Sequence, residues 1–287
     1  MNKYLNLINK YNITLYNKYV NTNKVSTVGI GDVLLALIWL KNNIIDGPIF
    51  INLGMSKYFE NPINAFEFRI QLINIIIKEN KLNSNIIKYI YNKKYYRGID
   101  INLINNIKNF KLKIPEVKFK NSLNEKLNNK KYIIFHTKCR FVQNYDYVNL
   151  IKKLSKFYLN YKSKYKIILL GEKKMLTHAV ETKTHRITTI YKELLQLKNN
   201  NDIIDLTVDI IGHDGLDIKK FIYDMNIIKN AEYNISVGLG GHYCCSIIFG
   251  KKTINFRDIY THLISKDIQN IYQHNNLKSY FKQLEEI

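Results

Sequence analysis

Three short segments of the sequence carry polar residues of the kinds that bind phosphate groups. They are HTKCR at residues 136–140, GEKK at residues 171–174 and the glycine-rich turn GLGG at residues 238–241. Together they offer a hydroxyl, several cations, backbone N–H donors and one carboxylate, Glu172. This combination suits a nucleotide diphosphate, because cations hold phosphates and a carboxylate holds ribose hydroxyls. For each segment alone, surface lysines or an ordinary helix cap remain the alternative; the three together favour a binding site.

The glycine-rich turn lies between a predicted strand, residues 233–237, and a predicted small-residue helix that ends at Gly250. Backbone N–H groups at a helix N-terminus lack intrahelical partners, and the helix dipole adds positive potential there. A strand, a glycine-rich turn and a helix therefore make a suitable phosphate site. An ordinary βα turn, whose glycines only allow tight packing, is the alternative, and it is the simpler explanation of this stretch taken alone.

The elements that position these segments alternate between strands and helices. Strands are expected where β-branched and aromatic residues cluster, and helices where apolar residues recur at helical spacing. In the second half the predicted strands are 131–136, 165–170, 203–206, 233–237 and 253–256, and the predicted helices are 147–161, 187–197, 217–230 and one or two within 267–287. This order predicts a parallel, doubly wound sheet, in which ligands bind beyond the carboxyl ends of the strands. The three polar segments are expected there, as loops.

The first half of the chain shows the same alternation. Its predicted elements are a cap formed by residues 1–24, a strand at 25–28, a turn at Gly29 and Gly31, a buried helix at 32–40, a strand at 49–53, a helix at 66–78 and two short candidates at 86–91 and 98–103. Residues 112–131 contain a proline, six lysines and four asparagines without periodicity, which predicts a linker. Its position, and a length of 287 residues, favour two α/β domains.

The charge of the chain is strongly positive: 44 Lys and Arg residues against 23 Asp and Glu residues give +21. Such a field favours anionic partners, which include nucleic acid, nucleotide phosphates and acidic membrane surfaces. The chain is also rich in Asn, Ile, Lys and Tyr, as expected of an AT-rich genome, so codon bias explains much of the lysine excess. We therefore treat the charge as weak support for a function.

The cysteines predict neither a disulfide framework nor a zinc site. Cys139, Cys244 and Cys245 are odd in number and lack metal-ligand spacing. No apolar run reaches the roughly 18 residues that a membrane-spanning helix needs, and the N-terminal residues make a poor signal peptide. We expect a soluble protein of the cytoplasm.

Several of these segments resemble one known family in order and spacing. Gly29-Ile30-Gly31-Asp32, followed by an apolar helix, resembles the first βα turn of the lipopolysaccharide heptosyltransferases, glycosyltransferases of the GT-B fold. Residues 132–154 are similar to the family's strand, phosphate loop and helix, and residues 167–172 to its next strand. Residues 221–256 are similar to its helix, strand, glycine-rich turn and small-residue helix.

This resemblance implies two Rossmann-like α/β domains that face each other across a cleft. Residues 1–120 would form the acceptor domain and residues 121–287 the nucleotide-sugar donor domain, whose last helix could pack back on the first domain. Asp32 occupies the place of the family's general base for an inverting transfer, with Gly29 and Gly31 on the acceptor side. A helix N-cap is the alternative role for Asp32.

The resemblance also assigns the donor site. The residues that fall where the family contacts the donor are Thr137, Lys138, Arg140, Glu172, Gly238, Gly240 and Gly241. Cations and a helix end neutralise the leaving diphosphate in that family, so it implies no metal and no cofactor. The implied partners are a nucleotide-sugar donor and a glycan or glycolipid acceptor, with peripheral association with an acidic membrane surface as a further possibility.

The chain departs from the family at the glycine-rich turn. Counting back from Gly250, Leu239 stands where the family has an aspartate and Cys244 where it has a histidine. His242, two residues earlier, is the candidate substitute in the donor site. Because the missing aspartate contacts the donor sugar, we expect a sugar other than heptose here.

Three alternatives remain open from the sequence. One is a nucleotide-sugar epimerase of the same fold, and another is a catalytically degenerate GT-B protein. The third is a basic nucleic-acid-binding protein, although aromatic residues are not interleaved with Lys and Arg as such proteins require. We therefore expect no specific nucleic-acid partner.

Overall fold

The structure is a computed structural model, and the chain divides into two compact units. The first unit comprises Met1–Pro115, Gly212–Ile222 and Leu263–Ser265, and the second comprises Glu116–Ile211, Tyr223–His262 and Lys266–Ile287. The structure describes residues 9–10, 14–15, 24–26, 30–42, 49–52, 62–91, 111–142, 152–154, 156–157, 164–174, 185–195, 203–210, 217–237, 248–256, 271–274 and 277–287.

In the first unit, the described strands form a four-stranded parallel sheet in the order β1-β4-β3-β2. The strands are β1 (Thr14–Leu15), β2 (Lys24–Ser26), β3 (Ile49–Asn52) and β4 (Ile87–Tyr91), and a short 3-10 turn at Ser84–Ile86 precedes β4. The helices are α1 (Ile30–Asn42) and α2 (Pro62–Asn80), which contact each other. These positions confirm the α/β class and the predicted strands and helices between residues 25 and 91. The candidate at 98–103 lies outside the described residues.

Helix α1 is buried because its apolar residues occur on nearly every side. Val33, Leu34, Leu37 and Ile38 are almost fully inaccessible to solvent, as the near-continuous apolar run predicted.

The segment that follows the first unit's sheet is fixed by a side chain of α2. The Asn80 amide donates to the Lys113 carbonyl (2.9 Å) and accepts from the Lys113 N–H (2.8 Å), as a neighbouring strand would. Leu112 and Ile114 on either side are buried. Part of the predicted linker is therefore packed, and part is helical, since α3 spans Asn121–Leu127. That helix has only two buried residues, Leu123 and Leu127, too few for a periodic signal.

The second unit is built on a larger sheet. Six of its described strands lie in the order β13-β12-β11-β5-β6-β9 and are parallel to one another. In chain order these six strands are β5 (Tyr132–Val142), β6 (Lys166–Leu170), β9 (Ile203–Asp205), β11 (Tyr233–Val237), β12 (Thr253–Phe256) and β13 (Ile271–His274). Numbered one to six, they read 3-2-1-4-5-6 from β9 to β13. This is the strand order of the Rossmann fold, so the doubly wound sheet predicted for this half is confirmed.

Smaller elements complete the second unit. Strand β8 (His185–Thr189) pairs antiparallel with the end of β5, and β7 (Glu172–Lys174) pairs with β10 (Val208–Ile210). The helices are α4 (Tyr191–Leu195), α5 (Ile218–Asn230), which the unit boundary divides, and α6 (Leu277–Glu285); residues 152–154 and 156–157 are also helical.

The main hydrophobic core covers one face of this sheet. The side chains that β5, β6, β11 and β12 contribute are Ile133, Phe135, Ile167, Leu169, Ile235, Val237, Ile254 and Phe256. Helix α4 adds Tyr191 and Leu194, and helix α6 adds Tyr280, Phe281 and Leu284. The last helix thus packs within the second unit's own core.

Four sequence predictions for this unit were wrong. Residues 138–140 and 172–174, expected in loops, belong to β5 and β7; residues 187–189, expected in a helix, belong to β8; and residues 271–274, expected in a helical tail, form β13. The cause is long-range pairing. Strand β6 ends opposite His136, and β8 then pairs with β5 from Lys138 onward, while β13 is held by β12.

Candidate functional site

The candidate site lies at the carboxyl ends of β5 and β11, where the chain order of the sheet reverses. These strands are neighbours, and Val237 pairs with Cys139 after a register shift. Such a reversal leaves a crevice beyond the strand ends, and ligands of Rossmann-type sheets bind there. Gly238, Gly240, Gly241 and His242 follow Val237 in the chain but lie outside the described residues. Their roles stay predictions.

Lys138 and Glu172 were each predicted to contact the nucleotide-sugar donor, and the two side chains lie next to each other. The Lys138 ammonium is 3.7 Å from the Glu172 carboxylate, and the two side chains are only 18% and 14% exposed. At this separation the charges attract each other, but the distance is too long for a strong hydrogen bond. Both groups therefore keep hydrogen-bonding capacity for a ligand.

Thr137 precedes Lys138 and is completely buried. Its hydroxyl donates to the Glu172 carbonyl (2.9 Å) and approaches the Leu170 carbonyl (3.2 Å). In this structure the hydroxyl thus binds the backbone where β6 leads into β7. Its predicted contact with donor phosphates stays a prediction.

Gly171 allows the chain to turn between β6 and β7. Its φ is +116°, a backbone conformation that residues with a side chain rarely adopt. A Cβ atom there would lie 2.6 Å from the Thr137 hydroxyl oxygen. A glycine is therefore required for both backbone conformation and space. The Leu-Gly pair seen in the sequence marks this turn.

Asp205, at the end of β9, anchors a hydrogen-bond cluster beside the pair. Its carboxylate accepts from the Tyr191 hydroxyl (2.7 Å), the Thr207 hydroxyl (2.5 Å) and the Thr207 N–H (3.0 Å). Burial alone would raise the pKa of Asp205, but these hydrogen bonds, aided by the Lys173 charge, hold it below its ordinary value. Burial, and then the bond to Asp205, raise the pKa of Tyr191. Sequence reasoning missed Asp205, Tyr191 and Thr207. Tyr191 and Asp205 come from different segments, whereas Asp205 and Thr207 are two residues apart and could have been recognised as a local turn.

We expect Asp205→Asn to lower the free energy of unfolding at pH 7 by about 1.5–3 kcal/mol, because the acceptor of these hydrogen bonds loses its charge and one of its two oxygens is replaced by a donor. Since the folded-state pKa lies below the unfolded value of about 4, the carboxylate stabilises the fold above that value. The stabilisation disappears as the pH falls through the folded pKa. Urea unfolding at pH 7 and pH 3 should therefore show a difference between variant and wild type that shrinks in acid.

Asp209→Asn is the matched control for this measurement. Asp209 pairs with Lys173 at 2.7 Å, but its side chain is 89% exposed. Exposed pairs contribute about 0–1 kcal/mol. Equal losses in the two variants, or a pH-independent loss in Asp205→Asn, would contradict the assignment.

The remaining predicted site residues are located only through the backbone. Asp32 and Gly31 lie within the first turn of α1, which begins at Ile30. The turn predicted at Gly31 is therefore helical, and Asp32 is inside the helix rather than at its N-cap. Arg140 belongs to β5, and Gly29 lies outside the described residues.

Neither a membrane-spanning helix nor a cluster of metal ligands is found among the described residues. Among the described helices, none is long and apolar enough to cross a membrane. Within the same residues, no group of three or more His, Cys, Asp or Glu side chains is arranged to hold a metal ion. Independence from metals stays a prediction.

The fold defines a Rossmann-type α/β protein, and two solved structures are similar to it. One is a glycosyl transferase family 9 protein from Veillonella parvula, with TM-score 0.48 and 11% identity over 92% of this chain and 89% of that one. The other is the ADP-heptose lipopolysaccharide heptosyltransferase II of E. coli, with TM-score 0.40 and 9% identity over 96% of this chain and 100% of that one. No family model and no curated protein matches the sequence.

Proposed function

We propose that the chain is a glycosyltransferase that moves a sugar from a nucleotide-diphosphate donor to a glycan or lipid-linked acceptor. The observation that carries the proposal is the Lys138–Glu172 pair at the carboxyl ends of β5 and β6, beside the switch point of a Rossmann-type sheet. The pair offers a cation for phosphate and a carboxylate for ribose hydroxyls within 4 Å of each other. Phosphate and ribose are adjacent in every nucleotide, so one ligand satisfies both.

The surroundings of the pair support an anionic ligand. Both side chains are largely buried, where charge interactions are stronger than in bulk water. The whole chain carries a net charge of +21. The glycine-rich turn after β11 would add backbone N–H donors. These features favour a diphosphate over a neutral sugar as the group that is held here.

The proposed reaction is an inverting displacement without a metal. The acceptor hydroxyl oxygen attacks the anomeric carbon as the bond from that carbon to the diphosphate oxygen breaks, and the diphosphate leaves with the electron pair. Asp32, the base implied by the sequence resemblance, takes the hydroxyl proton. Lys138, Arg140 and the glycine-rich turn stabilise the charge on the leaving diphosphate. Nucleotide sugars are cytoplasmic metabolites, so the proposal includes a cytoplasmic location.

A thermal-shift screen tests this function with UDP-, GDP-, ADP-, dTDP- and CMP-linked sugars. We expect at least one diphosphate-linked ligand to raise the midpoint of thermal unfolding, increasingly with concentration, because it binds the folded state only. Each ligand that binds is then incubated with the protein without acceptor. Hydrolysis at the anomeric carbon supports the proposal of a transferase. Conversion of the ligand to an epimeric nucleotide sugar would show instead that the protein is an epimerase. If no ligand shifts the midpoint, the donor site is wrong.

A further inference from the structure

The backbone carbonyl of Glu172 accepts hydrogen bonds from two threonine hydroxyls. Thr137 in β5 and Thr189 in β8 each donate to it at 2.9 Å. The two threonines come from adjacent antiparallel strands, since Lys138 pairs with Thr189. Two strands therefore hold the main chain of Glu172 by hydrogen bonds, and the carboxylate of the same residue faces Lys138.

The direction of the Thr189 hydroxyl is fixed by a second hydrogen bond. It accepts from the Tyr191 N–H (3.1 Å), so its single hydrogen remains for the Glu172 carbonyl. Tyr191 is in turn anchored through its own hydroxyl by Asp205 (2.7 Å). A continuous chain of hydrogen bonds therefore runs from β9 through α4 and β8 to β7.

Glu172 needs such support because its strand is weakly held. Strand β7 has three residues, and it begins directly after the turn at Gly171. Its strand partner is β10, which also has three residues. A small rotation of the backbone at Glu172 would change the 3.7 Å separation between its carboxylate and Lys138.

We infer that Thr189 is a positioning residue for the donor site: its hydroxyl holds the Glu172 backbone so that the carboxylate stays beside Lys138. This inference rests on the proposed function for the ligand that Glu172 binds. Thr189 itself contacts the main chain, so its influence on the ligand passes through Glu172.

The test measures the affinity for the nucleoside diphosphate selected by the ligand screen, by calorimetric titration. Thr189→Val keeps the size of the side chain but removes the hydroxyl, and we expect it to weaken binding about tenfold, the effect of one lost hydrogen bond. Thr189→Ser keeps the hydroxyl and should bind within about twofold of wild type. Thr189→Ala replaces Thr189→Val if that variant does not fold.

A double-mutant cycle separates positioning from a general structural effect. In a Glu172→Gln background, Thr189→Val should change the affinity little, since the carboxylate that it positions is already absent. A tenfold loss in both backgrounds, or a serine variant as weak as the valine variant, would overturn the inference.

Amide hydrogen exchange keeps this inference separate from the proposed function. The Val208 N–H donates to the Gly171 carbonyl (3.0 Å), next to the bond that Thr189 makes. In the ligand-free protein, Thr189→Val should speed exchange at Val208 and Thr189→Ser should not. Unchanged exchange in the valine variant would overturn the positioning role of Thr189. Absence of nucleotide binding by the wild type would overturn only the proposed glycosyltransferase function.

Discussion

Asp32→Asn is expected to lower the rate of sugar transfer by about 10²- to 10⁴-fold, the usual contribution of a general base, with little change in affinity for the donor. Asparagine has nearly the same shape as aspartate but cannot accept the proton of the acceptor hydroxyl. Asp32 lies in the first turn of α1, whose neighbouring Val33 and Leu34 are fully buried.

Initial rates of transfer and donor affinity, measured on the same preparations, check this prediction. A change in rate without a change in affinity is the signature of an interaction made in the transition state. Glu79→Gln, in α2 of the same unit, is the matched control and should leave the rate unchanged. Full activity in Asp32→Asn would remove the assignment of the base, although it would leave the donor site intact.

Gly171→Ala is expected to lower the free energy of unfolding by about 2–4 kcal/mol. Alanine at a φ of +116° is strained by about 1–3 kcal/mol. Its Cβ would lie 2.6 Å from the Thr137 hydroxyl oxygen, which would have to move and lose its hydrogen bond to the Glu172 carbonyl. A lost hydrogen bond adds about 0.5–1.5 kcal/mol. This is a large part of a typical total stability of about 5–15 kcal/mol.

Urea unfolding at neutral pH measures the loss. Gly250→Ala is the control, because Gly250 has a φ of 60°, in the left-handed helical region, where alanine costs about 1–2 kcal/mol. We expect the Gly171 variant to lose clearly more stability than the Gly250 variant, and also to bind nucleotide less tightly. Equal losses would mean that the contact with Thr137 contributes nothing.

Much of the fold could be predicted because local patterns decided it. Strands β11 and β12 were predicted to the residue, since each is a short apolar or β-branched run bounded by turn residues. Helix α1 was predicted from its apolar run, although it begins two residues earlier than expected. The parallel, doubly wound sheet followed from the alternation of strands and helices, whereas the order of its strands was not predicted.

What could not be predicted depends on partners that are distant in the chain. The end of β5 is a strand because β8 pairs with it, about fifty residues later, and no pattern in residues 138–142 reveals that partner. The site shows the same limit. Lys138 and Glu172 could be named from their types and positions. The hydrogen bonds that Thr189 and Thr137 donate to the Glu172 carbonyl could not, because they form only when three distant segments pack together.

The central claim is that Lys138 and Glu172 mark a diphosphate site at the carboxyl ends of β5 and β6, beside the switch point of the sheet. Its most direct test is calorimetric titration of nucleoside diphosphates into the wild type, Lys138→Met and Lys130→Met. Lys130 is an exposed lysine just after α3, so its variant changes the net charge equally. We predict that a nucleoside diphosphate binds the wild type and Lys130→Met alike, and Lys138→Met about 10- to 100-fold more weakly, as expected when a hydrogen bond to a charged phosphate is lost. Equal affinity in all three proteins, or no binding to the wild type, would contradict the claim.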